Sequence, residues 1–441
     1  MLGSLKFLIL SLSLFLFAAS AKSQLWKGLG LEFDDNPGCF FVDSANGLLY
    51  IGGHHNKVNG QVTGGIISYD GMNWDSLPGN PLGYPIHAIT KYQGKIYAGG
   101  VYGLASWNGI KWDTIHFDVV SVVWALHVYQ NKLLVGGSFD SIGVAGLHTL
   151  AAWDGNSFSE VFGSQSVFNL NTQTVNAIKD YKGELYIGGN FTIGNMLDIM
   201  KWNGSAWTDV GGGIKGGWWV NDFQIFMDEL YVGGYFVESA GAPGNHIARW
   251  DGWQWSALGC GMSIGQVSNM TVYNSKLYAC GQFTYAGCLP VKYVAHWDGS
   301  TWCNPGGDFD NIIHDLVGFQ DTLYIAGGFL SVDGDSMQYF AKWVGGNHTD
   351  SCLAVGWESP VGNNVEGVNV FPNPVTDRLH IRSESGIIYD VNIYDIQGRK
   401  TGTGTGNAKE LEINLENFPP GIYVVEVETG EGMIRRKVVR E

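Results

Sequence analysis

A five-residue pattern returns seven times along this chain and limits what it can fold into. Leu49-Tyr50-Ile51-Gly52-Gly53 is followed by Ile96-Tyr97-Ala98-Gly99-Gly100 and Leu133-Leu134-Val135-Gly136-Gly137. Further copies begin at Leu185, Leu230, Leu277 and Leu323, at intervals of 47, 37, 52, 45, 47 and 46 residues. A second pattern trails each copy: Tyr69-Asp70-Gly71 with Trp74, Trp107-Asn108-Gly109 with Trp112, and Trp153-Asp154-Gly155 with Phe158. It continues as Trp202-Asn203-Gly204 with Trp207, Trp250-Asp251-Gly252 with Trp255, and Trp297-Asp298-Gly299 with Trp302, and degenerates at Trp343. In five copies this motif starts 20 residues after the anchor; the distance falls to 17 in copy four and 11 in copy two.

Asn-Gly and Asp-Gly between apolar runs are two-residue hairpin turns, because both central positions need positive φ. Each unit therefore reads as four short strands. In copy four these are residues 175–181, 185–187, 199–202 and 206–210, with Lys182-Gly183 as a turn. A four-stranded unit repeated seven times at about 45 residues predicts an all-β chain, a seven-bladed β-propeller. The competing arrangement is a linear solenoid or tandem small β domains. Trp26-Lys27-Gly28-Leu29-Gly30 resembles the outer-strand pattern Trp255-Ser256-Ala257-Leu258-Gly259, and the seventh copy lacks a second aromatic after Trp343. The N-terminal segment is thus expected to supply the missing outer strand and remove the free edge; the alternative is that residues 347–355 complete that unit locally.

Composition agrees. Glycine numbers 64 and charged residues are 15% of the 441, which excludes coiled coils, while the 17 tryptophans argue against disorder. The net charge of −16 makes nucleic acid a poor partner. Lys6, the apolar run 7–19 and Ala19-Ser20-Ala21 predict a signal peptide over residues 1–21 rather than a transmembrane segment. All six cysteines then lie in the exported part, where disulfides are permitted. Ring closure suggests a Cys39–Cys352 bridge; Cys260, Cys280, Cys288 and Cys303 allow two more, with Cys280 the best candidate for a buried free thiol.

Composition changes near residue 358: 20 of the 74 residues in 368–441 are charged, against 46 of 367 before them. The expected order is signal peptide 1–21, propeller 22–357, linker 358–367 and a small β-sandwich 368–441. In the last, Thr401 to Gly406 reads as a glycine-rich loop. Val370-Phe371-Pro372-Asn373-Pro374 with Leu379-His380-Ile381, then Val391-Asn392-Ile393-Tyr394-Asp395 with Gly398-Arg399, Pro420-Gly421-Ile422-Tyr423-Val424-Val425 and Arg436-Lys437-Val438-Val439, resembles the type A C-terminal sorting domain of the type IX secretion system. That resemblance marks Pro372, Asn373, Pro374, Gly421, Tyr423 and Lys437. It implies a Bacteroidota-type source, passage across both membranes, the type IX machinery as partner, and release or surface attachment. The body more loosely resembles kelch-like or galactose-oxidase-like propellers.

Functional positions are sought where the repeat varies. Nine residues before each anchor stand Phe40, His87, Trp124, Asn176, Asn221, Ser268 and His314, a polar and aromatic column expected near the channel mouth. The next column holds Phe41, Ala88, Ala125, Ala177, Asp222, Asn269 and Asp315. Trp218 and Trp219, expected at the edge of the fourth unit, and Trp253 are candidate recognition aromatics; the structural alternative is packing between blades. His54-His55 and Asp333-Gly334-Asp335 are too incomplete for a metal site. No nucleophile elbow, zinc-protease motif, cofactor loop or phosphate loop is present. The expected function is a secreted or surface-displayed, non-catalytic glycan- or protein-binding module. The alternative is a propeller hydrolase or lyase acting on extracellular polysaccharide.

Overall fold

The computed structural model describes residues 25–440 apart from internal segments, the longest being 353–367, 116–120, 169–172 and 346–349. The signal peptide and linker expectations, together with Cys260, Cys288, Asn373 and Pro374, lie outside the described residues.

Seven antiparallel sheets follow one another along residues 26–352, and each is built as the repeat predicts. The fourth is Thr174–Tyr181, Glu184–Ile193, Met196–Trp202 and Trp207–Asp209, in that order across the sheet. The first strand of every sheet lies against the first strand of the next, and Ile313–Phe319 of the seventh lies against Pro37–Asp43 of the first. The rim repeats the same step. Gln93 Nε2 of sheet two donates to Asp154 O of sheet three (3.1 Å), and Gln320 Nε2 of sheet seven donates to Asp70 O of sheet one (3.0 Å).

The paired glycines have separate physical reasons. A Cβ on the first would strike the neighbouring sheet: on Gly99 it would lie 2.4 Å from Val123 Cγ1, on Gly188 2.6 Å from Val220 Cγ1, and on Gly233 2.6 Å from Val267 Cγ1. A Cβ on the second would strike the first strand of its own sheet, 2.1 Å from Val122 O for Gly137 and 2.0 Å from Thr174 O for Gly189. That strand comes so close because it bulges there in every sheet.

The seventh sheet is completed by Trp26–Gly28, which pairs antiparallel with Phe340–Trp343 in the register Trp26↔Trp343. Trp26 is fully buried, and its Nε1 donates to Gly306 O at 2.9 Å. Trp112, Trp207, Trp255 and Trp302 make the equivalent bond to Leu77, Phe162, Val210 and Leu258. The N-terminal strand thus fills the same slot as the fourth strand of other sheets.

The expected Cys39–Cys352 bridge is not formed. Ser351–Cys352 adds a fifth strand to the outer edge of sheet six, where Cys352 stands opposite Cys303 and is disulfide-bonded to it. Asp350 reinforces that seam through Lys276 Nζ (2.5 Å) and buried His296 Nε2 (2.8 Å). Cys39 lies on an innermost strand, far from any outer edge, and is a buried free thiol like Cys280.

The C-terminal unit is a three-stranded sheet (Val368–Phe371, Arg378–Ser383, Glu410–Asn414) and a four-stranded sheet sharing one core of Leu379, Ile381, Ile413, Val391, Ile393, Val425 and Val427. The expected loop at 401–406 is instead part of the strand Lys400–Ala408. Its alternate glycines leave room for neighbouring side-chain tips: a Cβ on Gly402 would lie 2.7 Å from Phe418 Cζ, and one on Gly406 2.7 Å from Leu411 Cδ1.

Candidate functional site

The bulges set the site. In six sheets the unpaired bulge residue on the first strand is His87, Trp124, Asn176, Asn221, Ser268 or His314. This is the predicted column, and it sits at the end of each sheet where first strands begin and second strands finish. Sheet one departs from it. Its first turn has four residues, 44–47, where the others have two, so the bulge falls at Gly38 and not at Phe40. The inner column in sheet one is accordingly Cys39, opposite Gly52, and not Phe41.

Two aromatic groups form on this end face. His87 and Trp124 pack with centroids 4.1 Å apart and planes tilted by 33°, and the His54 ring lies 6.4 Å from that of His87. Burial, with His54 nearby, pushes the His87 imidazole down to about 4, and the same causes lower His314. Both rings are neutral at pH 7. In sheet five, Trp218 packs edge-on against Trp219 (5.8 Å) and Tyr235 (6.3 Å), and Tyr235 lies 5.4 Å from His246. Trp218 is 63% exposed, whereas Trp219 is half-buried and its Nε1 donates to Gln266 Oε1 at 3.1 Å. The pair opens the fifth sheet rather than edging the fourth, since Trp219 is the first residue of Trp219–Phe226.

Other predicted residues do different work. Asn221 Nδ2 donates to Val267 O at 2.8 Å, a link between sheets five and six. Trp253 is 90% exposed, but on the opposite end: its turn follows Trp250, which pairs with Leu230 next to the far end of Trp219–Phe226. The strand length of eight residues, at about 3.3 Å each, separates it from Trp218. Asp222 and Asp315, on the innermost strands, accept Met270 N (2.8 Å) and Phe40 N (2.6 Å) of the adjoining sheets. Burial raises both carboxyls above the ordinary range. Among the described residues, no three His, Cys, Asp or Glu side chains gather to hold a metal ion. A polar cleft of about 330 Å³ between Trp74 and Trp107, with Asp75 and Ser68 in its wall, opens on the outer edges of sheets one and two and contains none of the predicted residues. Tyr235 and Tyr102, both exposed on the end face, escaped the column search because they follow the paired glycines instead of preceding the anchor.

Residues 369–441 match the family described as the secretion system C-terminal sorting domain. The C-terminal unit is a type IX sorting domain. The protein is therefore secreted, and among the described residues no helix is long and apolar enough to cross a membrane. No curated protein sequence matches the chain. Among solved structures, PorZ, a bacterial surface component of the type IX secretion system of Porphyromonas gingivalis, is 12% identical with a TM-score of 0.37, covering 91% of this chain and 65% of its own. The extracellular domain of a putative one-component system of B. thetaiotaomicron is 11% identical with a TM-score of 0.46, covering 95% and 60%. The chain spans less than two thirds of the length of either structure.

Proposed function

We propose that residues 22–357 form a closed, kelch-like seven-bladed β-propeller that works outside the cell as a non-catalytic binding module for a glycan or a protein. Closure is supported by the contacts that carry sheet seven onto sheet one, made by the same types of residue as the contacts between other sheets. The observation that carries the binding reading is the exposure of Trp218 at 63% within a cluster whose other members, Trp219 and Tyr235, hold it upright. A large aromatic left in water forgoes about 1.5–3 kcal/mol of burial, and amphipathic rings of this kind recur at the centres of recognition surfaces. Asp222 and Asp315 favour binding over hydrolysis, because their oxygens accept backbone N–H groups between sheets.

The test is a binding screen of the secreted full chain against immobilised glycans and cell-surface proteins, with bound glycans checked for cleavage products. The reading expects binding without turnover, weakened at least tenfold by Trp218→Ala. Turnover, or binding indifferent to Trp218→Ala, contradicts it.

A further inference from the structure

The short second repeat, in which the aromatic motif follows the anchor by 11 residues and not 20, has a structural consequence. Two residues after the second glycine, sheets three to seven carry Phe139, Phe191, Phe236, Phe283 and Phe329, all buried. Chain inserted between the second and third strands accompanies each of them. In sheets five, six and seven it forms a small hairpin, such as Tyr285–Ala286 with Leu289–Pro290, and in sheet four the strands themselves lengthen to Ile193 and Met196. Sheet two has no such insertion. Its second strand ends at Gly100, its third begins at Gly103, and Tyr102 in the same position is 64% exposed.

Where other sheets carry a hairpin, sheet two leaves the Tyr102 ring uncovered on the end face, a gap called the notch below. Tyr102 bridges Ser121 at the start of sheet three, and Trp124, 39% exposed and packed at a tilt against His87, follows three residues along that strand. Gly83 backs one part of the Tyr102 ring, where a Cβ would lie 3.8 Å away. The described residues framing the notch, 82–83, 85–87, 100–103 and 121–125, include no Lys, Arg, Asp or Glu.

We infer that this notch is a second binding site, which stacks the rings of a neutral glycan on Tyr102 and Trp124. It rests on the end face being free, as the reading above requires, but not on Trp218. Pyranose rings present apolar C–H faces to flat aromatics and hydroxyls at their edges, and amphipathic Tyr and Trp rings match both. The neutral His87 imidazole beside them has a donor and an acceptor nitrogen, which suits a hydroxyl partner. Uncharged walls give an anionic sugar no counter-charge, and the net charge of −16 repels it from a distance.

The experiment titrates the secreted full chain with hexasaccharides of glucose, mannose, xylose and N-acetylglucosamine, and with oligogalacturonate as the anionic probe, following tryptophan fluorescence. At least one neutral probe is expected to bind, with affinity reduced about tenfold or more by Tyr102→Ala and by Trp124→Ala, a loss typical of an aromatic anchor. Both sites are on the surface, so unchanged thermal midpoints of the variants are expected and are measured alongside. A neutral probe that depends on Tyr102 and Trp124 supports the inference whether or not Trp218→Ala also weakens it. Binding that depends on Trp218 alone overturns this inference and leaves the earlier reading standing. Binding only of oligogalacturonate, only of a protein, or of no neutral probe overturns it too.

Discussion

Replacing His55 with phenylalanine probes the packing rule of the repeat where it is broken in the interior. His55 occupies the position two residues after the second glycine at which Phe139, Phe191, Phe236, Phe283 and Phe329 are buried. It too is fully buried, its ring 4.9 Å from that of Phe33, and neither ring nitrogen has a hydrogen-bond partner among the described residues. An unsatisfied buried polar group costs about 1–3 kcal/mol. His55→Phe is therefore expected to stabilise the fold by about that amount at pH 7.5, raising the thermal midpoint by several degrees. A pH signature separates this cause from a general packing gain. Burial lowers the imidazole from 6.5 to about 4, so below pH 6.5 the unfolded chain takes up a proton that the folded chain refuses. Wild-type stability from this residue is complete above pH 6.5 and declines towards pH 4, at about 1.4 kcal/mol per pH unit and by about 3 kcal/mol in total. Phenylalanine has no such loss, and the advantage of the variant should grow by about 2–3 kcal/mol between pH 7.5 and 4.5. Denaturant unfolding followed by tryptophan fluorescence at the two pH values measures both quantities. A variant less stable than wild type at pH 7.5, or an advantage equal at both pH values, would refute the reasoning.

Two further outcomes follow from the architecture. Peptide mapping without reduction should recover Cys303 linked to Cys352 and Cys39 as a free thiol, and Cys303→Ala should lower stability by up to about 4 kcal/mol, the loop-closure value for a separation of 49 residues; a bridge to Cys39 contradicts the fold. A chain lacking residues 369–441 should accumulate in the periplasm while the full chain reaches the medium or cell surface. Fractionation and immunoblotting distinguish these, and full export of the truncated chain contradicts the sorting assignment.

Much of the fold is legible in the sequence because its turns are local. Asp-Gly and Asn-Gly do mark the hairpins between third and fourth strands, but as four-residue loops such as 70–73, in which only the glycine takes positive φ, and not as the two-residue turns expected; the glycine pair marks both the bulge and the approach of the next sheet. Trp26 is legible from sequence likeness, as Trp26-Lys27-Gly28-Leu29-Gly30 shares the tryptophan-x-x-leucine-glycine run of the outer strand at Trp255-Ser256-Ala257-Leu258-Gly259. What misleads is one extra pair of turn residues at 44–47, which shifts the first repeat and disguises Gly38 and Cys39 as Phe40 and Phe41. The disulfide was unreadable because Cys352 continues past the seventh sheet and joins the sixth, a choice made by the Asp350 seam and not by spacing. The glycines of 401–406 resemble a loop by composition, yet they are a strand's answer to a closely packed second sheet. The end-face tyrosines were hidden for another reason: exposure depends on what the intervening chain covers, and only the length of the second repeat hinted at it.

Closure through the N-terminal strand is decisive, since the end face is one continuous surface only if sheet seven is completed and meets sheet one. Lys27 and Lys342 are directly opposed in that pairing. The double variant Lys27→Cys, Lys342→Cys should form an intramolecular cross-link on mild oxidation, with a monomer on non-reducing gels and a raised thermal midpoint. Failure to cross-link, or cross-linking only between molecules, would contradict the closed ring.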